Sequence, residues 1–332
     1  MSDKLFRIFG AELSPYSVKV RSYFRYKGIP HQWIVRGPAE METFKQYAKL
    51  PLIPLVVTPE DEGLQDSTPI LEAMEARFPE PSIHPPDPVS AFVSALLEEF
   101  GDEWGNKWMF HYRWKREADQ LSAAERLAAV MAPGATGDAL RQVAAGIRER
   151  MVGRVWFVGS SEATTPIIED TFVRGLELLA AHLAERPYLF GARPAFADFG
   201  LWGQLYNAWT DPTGGALVRK HGPALVPWIE RMQQPEAEGA FEPWRALAPT
   251  LVPYLRELVG GYFLPWSDAN ARAIAAHQES FTVTLAGRPY EQKPQKYHAR
   301  SLAALRQRYA ALADRSALDP VLEQTGCLRW LR

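Results

Sequence analysis

The chain has 332 residues, 47% of them hydrophobic and 23% charged, which is typical of a folded globular protein and excludes a disordered or fibrous one. A formal net charge of −2 at pH 7 lacks the excess of Lys and Arg that nucleic-acid binding requires, so we expect no nucleic-acid partner. The single cysteine, Cys327, excludes an intramolecular disulfide and a cysteine-based zinc cluster, and we expect no metal.

The first elements of the chain alternate between strand and helix. LFRIFG has the pattern of a short buried strand that ends in glycine. SPYSVKVRSYFRYKGI begins with a capping serine and a proline and ends near Gly28, as helices commonly do. HQWIVR then predicts a second strand. The order β-α-β indicates an α/β domain at the start of the chain.

A hairpin, a helix and a linker follow. In LPLIPLVVTPEDEGLQDS, an apolar strand, a polar turn and a return toward Leu64 predict a β-hairpin. TPILEAMEARFP predicts a helix that begins with a proline and ends before Pro79. Residues 79–88 contain five prolines, which exclude a helix or a central strand. We therefore predict a linker there.

The rest of the chain is predicted to be mainly helical. After the linker, apolar residues recur at spacings of three and four nearly to residue 255. Farther on, ESFTVTLAGRPYEQKP predicts a hairpin around Ala286 and Gly287, and YHARSLAALRQRYAAL predicts an amphipathic helix. We therefore expect an α/β domain at 1–84, an all-helical domain at 85–255 and a C-terminal extension at 256–332.

The tetrapeptide Ser14-Pro15-Tyr16-Ser17 has the form of the redox motif C-P-Y-C with both cysteines replaced by serine. A thiol–disulfide oxidoreductase is excluded because neither position holds a thiol. Ser14 is either a cap whose oxygen accepts from the backbone or a hydroxyl donor at the positive end of the helix dipole. For Tyr16 a packing role, and for Ser17 the role of an ordinary helix serine, are the simpler interpretations.

Four motifs in sequence order resemble those of the cytosolic glutathione transferases. They are SPYSVKVR, IPLVV, QDSTPI and GARPAFADFGL, and they lie within roughly residues 4–255. The resemblance implies an α/β thioredoxin-like N-terminal domain that binds glutathione, an all-helical C-terminal domain and a homodimer. It also implies that glutathione is the co-substrate. Ser14 is then the catalytic residue that stabilises the glutathione thiolate.

The resemblance also implies a subsite for the glutamyl end of glutathione. Asp66 and Ser67, with Gln65 before them, match the family signature. An acidic side chain can bind the ammonium, while a serine hydroxyl and a helix N-terminus can bind the carboxylate. The alternative is that Asp66 or Ser67 is an ordinary cap before a proline-opened helix.

The remaining glutathione contacts implied by the resemblance lie before the hairpin. Ile53 and Pro54 match the strand whose backbone, at a cis proline, pairs with the cysteinyl amide. Leu52 stands where family members commonly have a basic residue for the glycine carboxylate. Lys49 and Arg36 are the nearby basic residues, and of the two we assign Lys49 to glutathione binding.

The second domain departs from the family pattern at a helix cap. In GARPAFAD, Ala195 stands at the usual Ser or Thr position, while Asp198 is retained. Loss of a capping hydroxyl typically costs about 0.5–2 kcal/mol. We therefore expect a helix with one donor less well satisfied.

The segment FGDEWGNKWMFHYRW is rich in aromatic residues. Burial in the core is the simpler interpretation of its helical spacing, and an aromatic-lined pocket for the acceptor substrate is the functional one. The residues assigned to such a pocket are Tyr16, Trp104, Trp108, His111 and Tyr112. For the neighbouring acidic residues Glu98, Glu99 and Asp102 we expect a solvated face, because no metal-binding spacing is present.

Two functions are consistent with these observations. The first is a glutathione-dependent transferase that acts on an electrophilic, hydrophobic or aromatic small molecule. The second is a non-catalytic binding or interaction protein of the same fold, which Leu52, Ala195 and the extension favour. The N-terminus lacks a signal-peptide core and no stretch approaches a membrane span, so we expect a cytoplasmic protein without a membrane partner.

Overall fold

The N-terminal part of the chain folds around a four-stranded sheet in the computed structural model, which describes residues 5–332. Residues 1–4 of the domain predicted at 1–84 lie outside the described part. The strands are β1 (Phe6–Gly10), β2 (His31–Val35), β3 (Leu55–Val57) and β4 (Gly63–Gln65). Their order is β2-β1-β3-β4, with β1 parallel to β2 and antiparallel to β3. The pairing of β3 with β4 confirms the predicted hairpin.

Three helices flank this sheet: α1 (Pro15–Tyr26), α2 (Met41–Tyr47) and α3 (Ser67–Arg77). Helix α2 was not among the predicted elements. It has seven residues and buries only Phe44, so it leaves no apolar stripe in the sequence. The resulting β-α-β-α-β-β-α order confirms the thioredoxin-like fold.

The central part of the chain is helical. Its helices are α4 (Pro88–Phe100), α5 (Asn106–Lys115), α6 (Glu117–Met131), α7 (Gly137–Val152), α8 (Thr165–Leu183), α9 (Phe196–Trp209), α10 (Pro212–His221) and α11 (Leu225–Arg231). A short π-helical segment, Gly101–Gly105, joins α4 to α5 without a break. The predicted helical domain is thus confirmed. Within residues 5–332, no helix combines the length and apolarity needed to cross a membrane.

Helical structure continues beyond residue 255, where we placed the end of the second domain. Helix α12 (Trp244–Tyr254) passes into a π-helical segment (Leu255–Phe263) and then into α13 (Leu264–Ala275). Two prolines inside α12 interrupt the helical pattern in the sequence, but its buried face is continuous with that of the π-helical segment. The chain therefore has no structural break at 255.

The C-terminal extension forms the elements predicted for it. Strands β5 (Phe281–Leu285) and β6 (Arg288–Gln292) pair antiparallel, and α14 (Lys296–Ala311) follows them. Ala286 and Gly287 turn the hairpin with φ values of 47° and 80°. Two short helices, α15 (Leu318–Gln324) and α16 (Leu328–Leu331), complete the described chain.

One hydrophobic core joins the sheet, the helical bundle and the extension; Ile8, Phe199 and Tyr309 all belong to it. Helix α9 lies at its centre, against α1 and α4. A Cβ atom added to Gly101 would lie 2.6 Å from the backbone nitrogen of Leu201, so the π-helical segment and α9 meet backbone to backbone.

Asp198 closes the start of α9 in the absence of a capping hydroxyl at Ala195. Its carboxylate accepts from the backbone N–H of Ala195 at 2.8 Å and of Leu189 at 2.9 Å. The indole N–H of Trp228 donates to it at 2.9 Å. Burial nevertheless raises the pKa of Asp198 to about 7. Asp198, the retained residue of the motif, therefore links the start of α9 at Ala195 to Leu189 and to Trp228 of α11.

Candidate functional site

Ser14 is the N-cap of α1, and its hydroxyl oxygen accepts two hydrogen bonds. The Ser17 hydroxyl donates to Ser14 Oγ at 2.9 Å, and the Ser17 backbone N–H donates to the same atom at 3.3 Å. Ser14 thus has the capping geometry that we gave as one alternative. Because both partners are donors, the hydroxyl proton of Ser14 is left to donate to another acceptor.

The first turn of α1 leaves a second donor at the same place. Pro15 has no N–H, and among residues 5–332 nothing accepts from the backbone N–H of Tyr16. This N–H and the Ser14 hydroxyl both belong to the positive end of a twelve-residue helix. The arrangement favours an anion at the start of α1.

Tyr16 is partly buried, and its hydroxyl donates to the backbone carbonyl of Asp102 at 2.9 Å. Burial, followed by the charge of Asp102, raises the pKa of Tyr16 well above its usual range. The tyrosine therefore remains neutral and joins α1 to the helical domain. Its side-chain proton is already used in this contact.

Ser67 lies at the start of α3, where the family signature places it, and is buried. Its hydroxyl donates to Asp102 Oδ2 at 3.2 Å and accepts from Lys19 Nζ at 3.3 Å. The serine is thus held between an ammonium of α1 and a carboxylate of the π-helical segment. These contacts fix its position at the helix N-terminus.

Lys19 is the centre of a buried ionic cluster that also contains Glu98, Asp102 and Thr68. Its ammonium contacts Glu98 Oε1, lies 2.6 Å from Asp102 Oδ2 and donates to Thr68 Oγ1 at 3.1 Å. Burial disfavours its charged form, but Asp102 and Glu98 outweigh this effect and raise the pKa of Lys19. Burial raises the pKa of Glu98 to about 7 in spite of the lysine.

The solvated acidic face predicted for residues 98–102 is wrong. Glu98, Glu99 and Asp102 are respectively 0%, 7% and 4% exposed. Lys19 lies between Glu98 and Asp102, and the Ser301 hydroxyl donates to Glu99. The acidic residues face α1 and α14 rather than water, and burial, then the charge of Glu98, raises the pKa of Glu99 well above its usual range.

Asp66 precedes α3 with a backbone conformation that non-glycine residues rarely adopt, at φ 77°. Its carboxylate is partly exposed, and Oδ1 accepts from the Tyr297 hydroxyl at 2.6 Å. Asp66 therefore does not cap α3 with its side chain. A strained residue with an acidic side chain beside a helix N-terminus is typical of a binding site.

A cis peptide bond joins Ile53 to Pro54 immediately before β3. Within residues 5–332, no hydrogen bond uses the backbone N–H or C=O of Ile53. Both groups are thus available to a ligand. Ser14 follows β1, and Ile53 and Pro54 precede β3. Because Phe9 pairs with Leu55 in antiparallel strands, these segments lie at the same end of the sheet.

Gln65 has a structural partner for each of its side-chain groups. Its Oε1 accepts from the backbone N–H of Lys49 at 2.7 Å and of Leu50 at 2.9 Å. Its Nε2 donates to the carbonyls of Leu50 and Leu52, both at 2.8 Å. Gln65 thereby holds the loop before the cis proline, so its predicted contact with glutathione stays a prediction.

Basic side chains flank the same loop. The Arg36 guanidinium donates to the carbonyl of Pro51 at 3.0 Å and lies over the ring of Phe44. Lys49 is exposed, and Leu52 beside it is 61% exposed. Arg36 therefore places a positive charge beside Pro51, next to Leu52, and the assignment of Lys49 to glutathione binding stays a prediction.

The predicted aromatic pocket is corrected by the structure. Trp104, Trp108, His111 and Tyr112 are at most 1% exposed and lie in the core. Both indole N–H groups donate to Thr171 Oγ1, at 3.3 and 3.0 Å. The four side chains pack against helices of the bundle because their helical spacing places them on its inner face, so they line no open pocket.

His111 illustrates how these polar atoms are satisfied inside the bundle. Its two ring nitrogens lie 2.8 Å from Ser160 Oγ and 3.0 Å from Glu169 Oε1. Burial lowers its pKa in spite of the neighbouring carboxylate. His111 therefore has a structural role.

Comparison with known families agrees with this geometry. Residues 13–77 match the N-terminal domain of glutathione S-transferase, and residues 123–257 match its C-terminal domain. The two matches together span more than half of the chain. The chain belongs to the glutathione S-transferase family. No curated protein matches the sequence.

Solved structures of glutathione S-transferases are similar to this family member at low identity. One from Methylobacterium radiotolerans, in complex with glutathione sulfonate, is 19% identical over 72% of this chain and 99% of its own, with a TM-score of 0.40. One from Methylobacillus flagellatus with glutathione bound is 18% identical over 69% and 95%, with a TM-score of 0.43. One from Phanerochaete chrysosporium is 16% identical over 70% and 98%, with a TM-score of 0.48.

Sequence reasoning missed several residues of this family member's site. Lys19, Glu98 and Asp102 form its ionic centre, and Tyr297 contacts Asp66 from the C-terminal extension. A lysine within the apolar face of α1 was a usable signal, since a buried ammonium needs carboxylate partners. For Tyr297 the sequence offers no comparable signal.

Proposed function

We propose that the protein is a glutathione-dependent transferase in which Ser14 stabilises the glutathione thiolate. The observation that supports this most directly is the direction of the hydrogen bonds at Ser14, that is, which group donates and which accepts. Its oxygen accepts from Ser17 twice, so its own proton is free to donate to an acceptor placed before α1. A free thiol has a pKa near 8.5, and a donor at a helix N-terminus lowers it.

In the proposed complex, glutathione lies across the edge of the thioredoxin-like domain. Asp66 binds the glutamyl ammonium, and the backbone N–H of Ser67, at the N-terminus of α3, binds the glutamyl carboxylate. The backbone of Ile53 pairs with the cysteinyl amide. Lys49 and Arg36 attract the glycine carboxylate. Each charged end of the ligand then meets the opposite charge, and its sulfur lies at the start of α1.

The proposed reaction begins with this thiolate. Its sulfur forms a bond to an electrophilic carbon of a hydrophobic or aromatic small molecule, either displacing a leaving group or adding to a polarised double bond. The thiol proton leaves to solvent before the attack. The protein lowers the barrier by favouring the anion over the thiol at the start of α1.

Family membership supports the remaining proposals. We propose a homodimer in the cytoplasm, as the resemblance implies. Sedimentation of the purified chain measures its mass in solution. A mass of one chain at micromolar concentration would contradict the dimer.

The deciding experiment combines calorimetric titration of glutathione with the rate of conjugation to 1-chloro-2,4-dinitrobenzene. We expect saturable binding by the native chain. Ser14→Ala should lower kcat/KM by on the order of 10²-fold, as loss of a donor to a reacting anion does. Ser17→Ala is the matched variant, since it keeps the Ser14 hydroxyl and should change the rate by only a few-fold.

The first two outcomes distinguish the transferase from the non-catalytic protein, and the third tests the role of Ser14. Absence of saturable binding at millimolar glutathione would contradict the transferase. Binding without conjugation to any electrophile would favour the non-catalytic binding protein. An unchanged rate for Ser14→Ala would show that Ser14 only caps its helix.

A further inference from the structure

Tyr297 brings the C-terminal extension into contact with the candidate glutathione site. Its hydroxyl donates to Asp66 Oδ1 at 2.6 Å, although the two residues are 231 positions apart in the chain. Tyr297 lies in the first turn of α14, and 45% of its surface is exposed. A side chain at the rim of the site therefore contacts the carboxylate assigned to the glutamyl ammonium.

The position of Tyr297 is set by contacts of α14 with the helical domain. The Ser301 hydroxyl donates to Glu99, and the imidazole of His298 lies against Glu103. The His298 ring also packs against Trp266, with 4.9 Å between the ring centroids. All three partner residues, Glu99, Glu103 and Trp266, are buried. Helix α14 thus presents Tyr297 to Asp66 from a rigid support.

Asp66 retains the capacity to bind a cation while it is held by Tyr297. A carboxylate offers about four lone-pair positions on two oxygens. Tyr297 uses one of them on Oδ1, and within residues 5–332 no basic side chain forms an ion pair with Asp66. Burial of the hydroxyl, followed by the charge of Asp66, raises the pKa of Tyr297, so it remains a donor at neutral pH.

We propose that Tyr297 is a positioning residue for glutathione, and that the C-terminal extension thereby supplies part of the glutamyl subsite. Its hydroxyl holds the Asp66 carboxylate in the orientation that meets the glutamyl ammonium. This inference rests on the proposed function, because it assigns the ammonium to Asp66. It explains why a segment outside the two family-matched regions is docked beside the site.

The test is Tyr297→Phe, which keeps the ring and removes the hydroxyl. Tyr309→Phe is the matched control, because Tyr309 is on the same helix and donates to Asp319 at 2.8 Å, at the far end of α14. For Tyr297→Phe we expect Kd and KM for glutathione to rise roughly tenfold, with kcat at saturating glutathione unchanged. Tyr309→Phe should leave both values as in the native chain.

A ligand analogue separates positioning from a general loss of structure. Glutaryl-cysteinylglycine lacks the glutamyl ammonium and cannot pair with Asp66. We expect the native chain to prefer glutathione over this analogue and Tyr297→Phe to lose most of that preference. Thermal unfolding of both tyrosine variants shows whether each is folded.

The outcomes are distinct. Failure of the native chain to bind glutathione overturns the proposed function and this inference together. Native binding with an unchanged KM in Tyr297→Phe overturns only the inference. Tighter binding by Tyr297→Phe also overturns it, since Tyr297 would then compete with the ammonium for Asp66.

Discussion

The ammonium of Lys19 in α1 lies 2.6 Å from Asp102 Oδ2, with both side chains buried between the thioredoxin-like and helical domains. Ser67 bonds to both of them, so the start of α3 is tied to the same pair. Glu98 shares the lysine. Buried ion pairs thus connect the two domains, and they lie directly beside Ser67, which we assign to the glutamyl carboxylate.

Removing the lysine should destabilise the fold strongly. Lys19→Met leaves the carboxylates of Glu98 and Asp102 buried without their cation, which typically costs about 3–5 kcal/mol. The free energy of unfolding, measured with urea at pH 7.5, should fall by this amount. At pH 5.5 the loss should be smaller, because the carboxylates can then take up protons.

An exposed ion pair provides the control for this charge change. Arg174 Nε lies 2.7 Å from Glu257 Oε2, with side chains 46% and 40% exposed. Arg174→Met should cost at most about 0.5 kcal/mol. Equal losses for the two variants would contradict the role of Lys19 as the counter-ion of a buried cluster.

Glu98 should make stability depend on pH near neutrality. Burial raises its pKa in the folded chain to about 7, above the value of roughly 4.3 in an unfolded chain. A raised pKa stabilises the fold while the carboxyl is protonated, and this contribution is lost as pH rises through 7. Between pH 6 and pH 8, Glu98 should therefore remove about 1 kcal/mol of stability.

The variant Glu98→Gln isolates this effect. Glutamine cannot ionise. The free energy of unfolding of the Glu98→Gln variant should therefore fall less between pH 6 and pH 8 than that of the native chain. Asp198, whose pKa is also about 7, keeps its own contribution in both proteins. Parallel pH profiles for the native chain and Glu98→Gln would show that Glu98 is already ionised at pH 6.

Gly101 should tolerate no side chain. An added Cβ would lie 2.6 Å from Leu201 N and 2.7 Å from the carbonyl carbon of Gly200, and both are backbone atoms that cannot rotate away. Gly101→Ala should cost about 2–3 kcal/mol of unfolding free energy, as overpacking does.

Gly146 in α7 is the matched control, since a Cβ there meets no atom within 4 Å. Gly146→Ala should be neutral or stabilising by up to about 1 kcal/mol, because alanine favours the helix. A neutral Gly101→Ala would mean that the π-helical segment and α9 do not meet as described.

Local sequence signals predicted much of this molecule. Ser14 followed by Pro15 marks the start of α1, and Ala286 with Gly287 marks the turn of the C-terminal hairpin. These features depend on the φ preferences and capping groups of a few adjacent residues. The order of strands, helices and family motifs then indicated the fold. Helix α2 was missed because it buries a single side chain and has no periodic pattern.

The environment of each charged or aromatic residue was decided by tertiary structure. Glu98 and Asp102 have a spacing that is equally typical of a solvated helix face, and only the packing of α1 places Lys19 between them. Likewise, Asp66 and Tyr297 lie 231 positions apart, and their contact depends on how α14 docks on the helical domain. Burial and long-range contact are properties of the packed chain, because a side chain's neighbours across an interface leave no periodic trace in its own segment.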